Sequence, residues 1–166
     1  MFNFLKKLFG TQQSCGCNNN QCNITARNEN ENLATFFSDA DREILKNTDD
    51  HIVIGKILTI TNHPDPKVTK VRITQTEIAP GVVTQILCGG VNIKEGRYVP
   101  VATVGTKFAD FEIGERKIRG ELSSGMICSR TELGLPQGSE VDHGIWLLDD
   151  KFSTQLGEKI CDIAKA

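Results

Sequence analysis

The sequence predicts an all-β fold, a small barrel of five strands with short helices, preceded by a flexible polar extension. Two observations support this prediction. From His51 onward the period changes to two, which is typical of strands: IVIGKILTI is a β-branched run, and VTKVRITQT alternates apolar with polar residues. Before residue 36 the chain is rich in Asn, Gln, Ser and Thr, which cannot bury enough apolar surface to offset the entropy of ordering.

The chain divides into three predicted regions. Residues 1–35 form a linker that begins with a short amphipathic element, which either docks on a partner or membrane surface or is a frayed terminus. Residues 36–50 form a short helix leading into the barrel, since Ser38 can cap it and Asp41 can close a capping box. Residues 51–166 form the barrel domain.

The strands follow one another along the barrel domain. A bent strand from His51 contains a glycine, and two further strands, Val68–Thr76 and Val82–Cys88, complete a three-stranded meander. A strand at Tyr98–Val104 carries Pro100, which predicts an edge or a bulge there. The last pairing comes from Lys117–Ile127, followed by a helical turn at 131–133 ended by glycine and a covering strand at Ile145–Leu148. Five short strands with a helix between them are the layout of an OB fold.

The charge is divided unevenly between the two halves of the barrel. The net charge of the chain is -2, which argues against indiscriminate binding of nucleic acid. Residues 56–119 nevertheless hold ten Lys or Arg and six acidic residues, whereas residues 121–166 hold four and eight. One face of the barrel can therefore be basic and suit selective contact with a polyanion; a mixed, solvated surface is the alternative.

The interpretation of the cysteines depends on the cellular compartment that the sequence predicts. The N-terminus lacks the apolar core of a secretory signal, and no apolar run is long enough for a transmembrane helix, so we expect a cytoplasmic protein with reduced thiols. Cys88 and Cys128 lie in apolar strands and are predicted core residues. Cys15, Cys17 and Cys22 could hold a metal or form a redox pair, although a zinc site needs a fourth ligand. A protein-interaction or metal/redox function through this cluster is the alternative hypothesis.

Four segments resemble the tRNA-binding domain family, an OB-type barrel found near the front of the bacterial phenylalanyl-tRNA synthetase beta chain and in free-standing tRNA-binding proteins. They are VIGKILTITNHP, QILCGGVNIKEG, VPVATVGTKF and KIRGELSSGMICSRTELGL. The resemblance implies a non-catalytic tRNA-binding protein without a cofactor, and it suggests a synthetase subunit and a second copy of the chain as further partners. The chain departs from the family in two loops, Asp65–Val68, which is one residue shorter, and Gly89–Asn92.

The predicted binding mode is recognition of folded tRNA by its shape and phosphates. One Trp and one Tyr are too few for stacking several splayed bases. In an extended strand Lys117 and Arg119 would project to one side about 7 Å apart, within reach of successive phosphates, or would instead protect a solvated edge. Asn92 would read a base edge or cap a helical turn, and capping is slightly favoured. The predicted tRNA-binding residues are Lys67, Lys70, Asn92, Arg116, Lys117, Arg119, Ser123, Ser124 and Met126.

The histidines give no sign of catalysis in the sequence. His63 precedes a proline and lacks a nucleophilic or acidic partner at recognisable spacing, so a turn histidine is much the better interpretation. His51 and His143 are likewise predicted to be unaccompanied.

Overall fold

The computed structural model describes residues 36–138 and 141–166, so the predicted linker and its cysteines Cys15, Cys17 and Cys22 lie outside the described residues. The division of the chain into three regions stays a prediction. The helices are α1 (Asp39–Leu45), a 3₁₀-helix (Asp150–Gln155) and α2 (Ile160–Lys165). The strands are β1 (Ile52–Asn62), β2 (Arg72–Ala79), β3 (Val82–Cys88), β4 (Tyr98–Ala102), β5 (Glu115–Ile118), β6 (Glu121–Ser124) and β7 (Met126–Ile127).

Five of these strands form a strongly curled half-barrel in the order β3-β2-β1-β4-β7, which confirms the predicted all-β class and the meander. β1 causes much of the curl because its first half pairs with β4 and its second half with β2. Gly55 lies next to the point where the pairing of β1 changes from β4 to β2. A Cβ there would come 2.6 Å from Val101 Cγ2, so the glycine permits the close approach that the sequence predicted.

The interior of the domain has two apolar clusters. One fills the curled sheet and includes Ile57, Ile86 and Val101, each fully buried. The other lies where α1, the 3₁₀-helix and α2 cover the opposite side, around Leu45 and Phe152. Together they fix the sheet rigidly enough to present its rim loops to solvent.

Helix α1 begins where the sequence predicts. Ser38 caps it, since its hydroxyl accepts the Asp41 N–H at 3.1 Å. The Asp41 carboxylate does not return to Ser38 in the described contacts. It lies 2.7 Å from the Arg130 guanidinium, which stacks over the Trp146 ring, so the helix is anchored to the barrel.

Pro100 occupies an unexpected position. β4 lies between β1 and β7, and its register with β1 continues unbroken through Pro100, so the predicted edge or bulge is wrong. Ile54, opposite Pro100, donates its backbone N–H to the Glu158 carbonyl rather than to β4. Pro100 is therefore a non-hydrogen-bonded position of the β1–β4 pair, where a missing N–H costs no bond to β1.

The C-terminal half of the domain departs most from prediction. Residues 117–127 form two separate pairings, because β5 and β6 make their own hairpin and β7 pairs with β4. The residues at 145–148 are not a strand; a single bridge from Leu148 to Tyr98 and the bond from Trp146 N–H to the Cys128 carbonyl hold them against the sheet. The predicted helical turn at 131–133 is confirmed, and Gly134 follows it at φ +76°.

No helix in the described part of the chain has both the length and the apolar character needed to cross a membrane.

Candidate nucleic-acid interface

His63 joins the loop at residues 63–71 to the β5–β6 hairpin. Its side chain is buried, its Nδ1 accepts the Asp65 N–H at 3.0 Å, and its Nε2 lies 3.0 Å from the Ile118 carbonyl oxygen. Because Nδ1 is an acceptor, the proton is on Nε2, which donates to Ile118. This confirms that His63 is a structural turn histidine. It also fixes the spacing between two segments that carry predicted phosphate contacts.

Asp65 brings two predicted basic residues toward each other. Its Oδ1 accepts the Lys67 backbone N–H at 2.9 Å, and its Oδ2 lies 3.7 Å from Nη1 of Arg119. The loop and the hairpin turn therefore meet at one rim of the half-barrel. We define the basic rim as the exposed cations on these two segments: Lys67, Lys70, Arg116, Lys117 and Arg119.

The basic rim has little internal charge compensation. Within residues 36–138 and 141–166, Arg119 is its only member in an ion pair, and that pair is long and exposed. The hairpin carboxylates are engaged by neutral donors instead: Glu115 accepts the Ser124 hydroxyl at 3.0 Å, and Glu121 accepts the Gln85 amide at 3.2 Å. The cations are consequently available to an external anion.

The predicted geometry of Lys117 and Arg119 is wrong. β5 ends at Ile118, and Arg119 occupies the hairpin turn at φ +50°, followed by Gly120 at φ +96°. Strand alternation therefore does not extend to Arg119. Lys117 lies opposite Leu122, whereas Arg116 lies opposite Ser123 and belongs to the other face of the hairpin.

Three of the other predicted residues use their polar atoms within the chain. The buried Ser123 hydroxyl accepts the Leu87 N–H at 3.0 Å and donates to the Gly125 carbonyl at 3.3 Å, which ties β6 to β3. The Ser124 hydroxyl donates to Glu115, as described above. The Asn92 amide bonds both backbone groups of Ile145, at 2.9 and 2.8 Å.

The capping interpretation of Asn92 is wrong, because no helix begins there in the structure. Instead it holds the 145–148 segment against the sheet.

Two grooves share Leu87 and Met126 in their linings. One, of about 560 Å³, lies on the Arg116 face of the hairpin. The other, of about 760 Å³, extends along Gly89 and Gly90 toward Arg130. Met126 is half-buried and lines both grooves, and its contact with tRNA stays a prediction.

Sequence reasoning missed two exposed residues of this surface. Arg72 begins β2 directly after the loop at residues 63–71. The sequence could have indicated it, because it lies within the basic residues 56–119. Phe111 lines the smaller groove with 45% of its surface exposed. A lone phenylalanine in a loop gave no pattern that could have identified it.

The remaining titratable groups have structural roles. The prediction that His51 is unaccompanied is wrong, since its Nδ1 lies 2.8 Å from Asp49 and 3.1 Å from Asp50. Burial raises the pKa of Asp49, but the backbone N–H groups of His51 and Lys107 together with the His51 side chain lower it by more, so the net pKa is below its usual value.

Cys88, at the end of β3, and Cys128, directly after β7, are core residues, as predicted. Burial raises the pKa of the Cys88 thiol and raises that of Cys128 to about 12. Neither thiol is suited to act as a nucleophile or a metal ligand, because both roles need the thiolate.

A curled half-barrel with cations gathered on one rim defines the class of OB-type nucleic-acid-binding domains. The family model described as "Putative tRNA binding domain" matches residues 52–154, and the chain belongs to this family.

Similar proteins include phenylalanine–tRNA ligase beta subunits from several bacteria. The chain is 40% identical over 116 residues to that of Prochlorococcus marinus (strain MIT 9312), a match that covers 68% of this chain and 14% of the subunit. It is 39% identical over 117 residues to that of Chlorobaculum tepidum, again over 68% and 14%. For Wolinella succinogenes the identity is 42% over 113 residues, covering 67% and 14%. The similarity thus covers only a small part of each relative.

Proposed function

We propose that this chain is a non-catalytic tRNA-binding module that recognises folded tRNA by its shape and phosphates. It would act as an accessory or detached domain of the phenylalanyl-tRNA synthetase type. The observation that supports this most directly is the basic rim, whose cations face solvent while the hairpin carboxylates Glu115 and Glu121 are engaged by neutral donors. Each phosphate that such a cation neutralises releases counterions, which favours binding.

The geometry of the rim supports recognition of a folded RNA. Lys67 and Lys70 lie on the loop, while Arg119 lies on the hairpin turn, and His63 ties the two segments together. A rigid pair of segments can match the spacing of phosphates on a folded surface better than a flexible basic tail can. The described residues also offer few exposed aromatic rings, so stacking on several bases would contribute little.

The similar proteins support tRNA and a synthetase subunit as partners. A module that binds tRNA without chemistry of its own would raise the local concentration of tRNA near an enzyme. A homodimer would double the basic surface, and it remains part of the proposal.

The first experiment is a titration of total tRNA into the purified full-length chain at two salt concentrations. Duplex RNA of equal length is the competitor. We expect binding that weakens with salt and survives the duplex. Absence of binding to both RNAs would refute the proposal. If the duplex RNA abolished tRNA binding, the chain would bind tRNA only through unspecific attraction of polyanions.

A charge reversal tests the rim itself. Lys117→Glu with Arg119→Glu should weaken tRNA binding by more than about 1 kcal/mol and lower the salt slope by about 2. The matched control is Lys94→Glu with Lys165→Glu, which changes the net charge equally at two exposed cations outside the rim. Unchanged affinity in the folded rim variant would place the binding face elsewhere.

A further inference from the structure

The smaller of the two grooves has the dimensions and lining of a ligand site. It measures about 560 Å³, within the usual range for small-molecule pockets. We call it the hairpin groove, and its main side chains are Leu87, Phe111, Ile113, Arg116, Ile118 and Met126. Apolar side chains dominate it, and Arg116 is its cation.

Phe111 presents an aromatic ring to this groove. Its ring stacks on Phe108 at a centroid distance of 4.8 Å and an interplanar angle of 23°, yet the residue stays 45% exposed. Phe111 is the most exposed aromatic residue in the part of the chain that the structure describes. A ring supported on one side and open on the other is a platform on which a planar group can stack.

A flexible side chain in the lining lets the groove adapt to the ligand that enters. Met126 is half-buried and has a flexible, polarisable side chain. Gly114 also lines the groove and has open space beside it, since a Cβ built there would meet nothing within 4 Å.

Charge decides which kind of planar ligand fits. The groove opens on the Arg116 face of a hairpin that also carries Lys117 and Arg119, and Arg116 has no ion pair within residues 36–138 and 141–166. Acidic Asp110 and Glu112 flank Phe111, so an anionic chain would approach along Arg116. A planar apolar group attached to an anion on one side is the description of a nucleotide.

We propose that the hairpin groove binds one unpaired nucleobase of the tRNA. The base stacks on Phe111 and contacts Met126, while its own phosphate lies on Arg116. This inference rests on the proposed function and adds a specific contact to it. Recognition by shape then combines a rim for phosphates with one pocket for an unstacked base.

Substitutions at two positions in the chain separate the roles of ring and cation. Phe111→Ala should weaken binding of total tRNA about tenfold with an unchanged salt slope, because stacking releases few ions. Phe111→Tyr should keep the affinity, since it keeps the ring. Arg116→Gln should weaken binding and lower the salt slope by about 1. Val104→Ala, at another exposed apolar residue, is the control and should have no effect.

Cross-linking of the unaltered protein gives a second test that does not depend on the folding of a variant. Ultraviolet irradiation of its complex with total tRNA should attach nucleotides to the tryptic peptides 108–116 and 120–130, which carry Phe111 and Met126. Full affinity of folded Phe111→Ala, or cross-links confined to other peptides, would overturn the base-binding role and favour a protein occupant. The proposed function would still stand if the charge reversal at Lys117 and Arg119 weakened binding, whereas failure of the unaltered chain to bind tRNA would remove both.

Discussion

Replacing His63 should both destabilise the domain and weaken tRNA binding. His63→Ala removes two hydrogen bonds of 3.0 Å, one to the Asp65 N–H and one to the Ile118 carbonyl, and leaves a void at a buried position. At about 1 kcal/mol for each bond, with a further contribution from the void, the free energy of unfolding should fall by about 2–3 kcal/mol. For a domain of this size that corresponds to a melting temperature lower by about 8–12 °C.

Two conservative variants separate the two bonds. His63→Gln places an amide N–H near the position of Nε2 and can keep the bond to Ile118, so the loop and hairpin stay joined. His63→Asn places an oxygen near the position of Nδ1 and can keep only the bond to Asp65. We therefore expect His63→Asn to lose about 1 kcal/mol of tRNA binding, roughly fivefold in affinity, and His63→Gln to lose much less.

Thermal unfolding by circular dichroism and tRNA titration at fixed salt measure the two effects. If His63→Ala melts within 2 °C of the unaltered chain, the two hydrogen bonds do not join the segments as the structure indicates. Equal tRNA affinity for the Asn and Gln variants would show that the rim does not depend on this link.

Three further predictions concern the sheet, the acidic turn and the thiols. Gly55→Ala should cost about 1–3 kcal/mol in chemical denaturation, because the new Cβ would meet Val101 Cγ2 at 2.6 Å. Asp49→Asn should cost about 1–2 kcal/mol at pH 7. The pKa of Asp49 is lowered in the folded chain, so its stabilisation is complete above the unfolded value of about 3.9 and is lost as the pH falls through the folded value. Cys88 and Cys128 should resist alkylation by iodoacetamide at pH 8 until the chain is unfolded, as mass spectrometry can show.

Each of these predictions has its own control. Gly114→Ala should be neutral, since a Cβ at that exposed glycine meets nothing within 4 Å; an equal loss at both glycines would refute the steric argument. The destabilisation by Asp49→Asn should disappear in the acid limb of the stability curve, and a loss that is constant with pH would exclude a role of its charge. Rapid labelling of Cys128 in the native chain would contradict its burial in the core.

The sequence determined the class of fold and its family because both depend on local patterns. β-branched and alternating runs made the meander predictable, and four ordered segments carried the resemblance to the tRNA-binding domain. The Ser38 cap and the helical turn ended by Gly134 were predictable for the same reason, since each depends on neighbouring residues only.

The tertiary structure alone decided how the predicted site residues are used. Ser123 and Asn92 look like free polar ligands in the sequence, but their partners, Leu87 and Ile145, are 36 and 53 residues away along the chain. The place of Arg119 in the hairpin turn, rather than in the strand, was not predicted, because the pairing of β5 with β6 decides where the chain folds back. Contacts between distant segments are fixed by packing, which no local pattern records, and that packing also brings Phe111 and Arg116 to one groove.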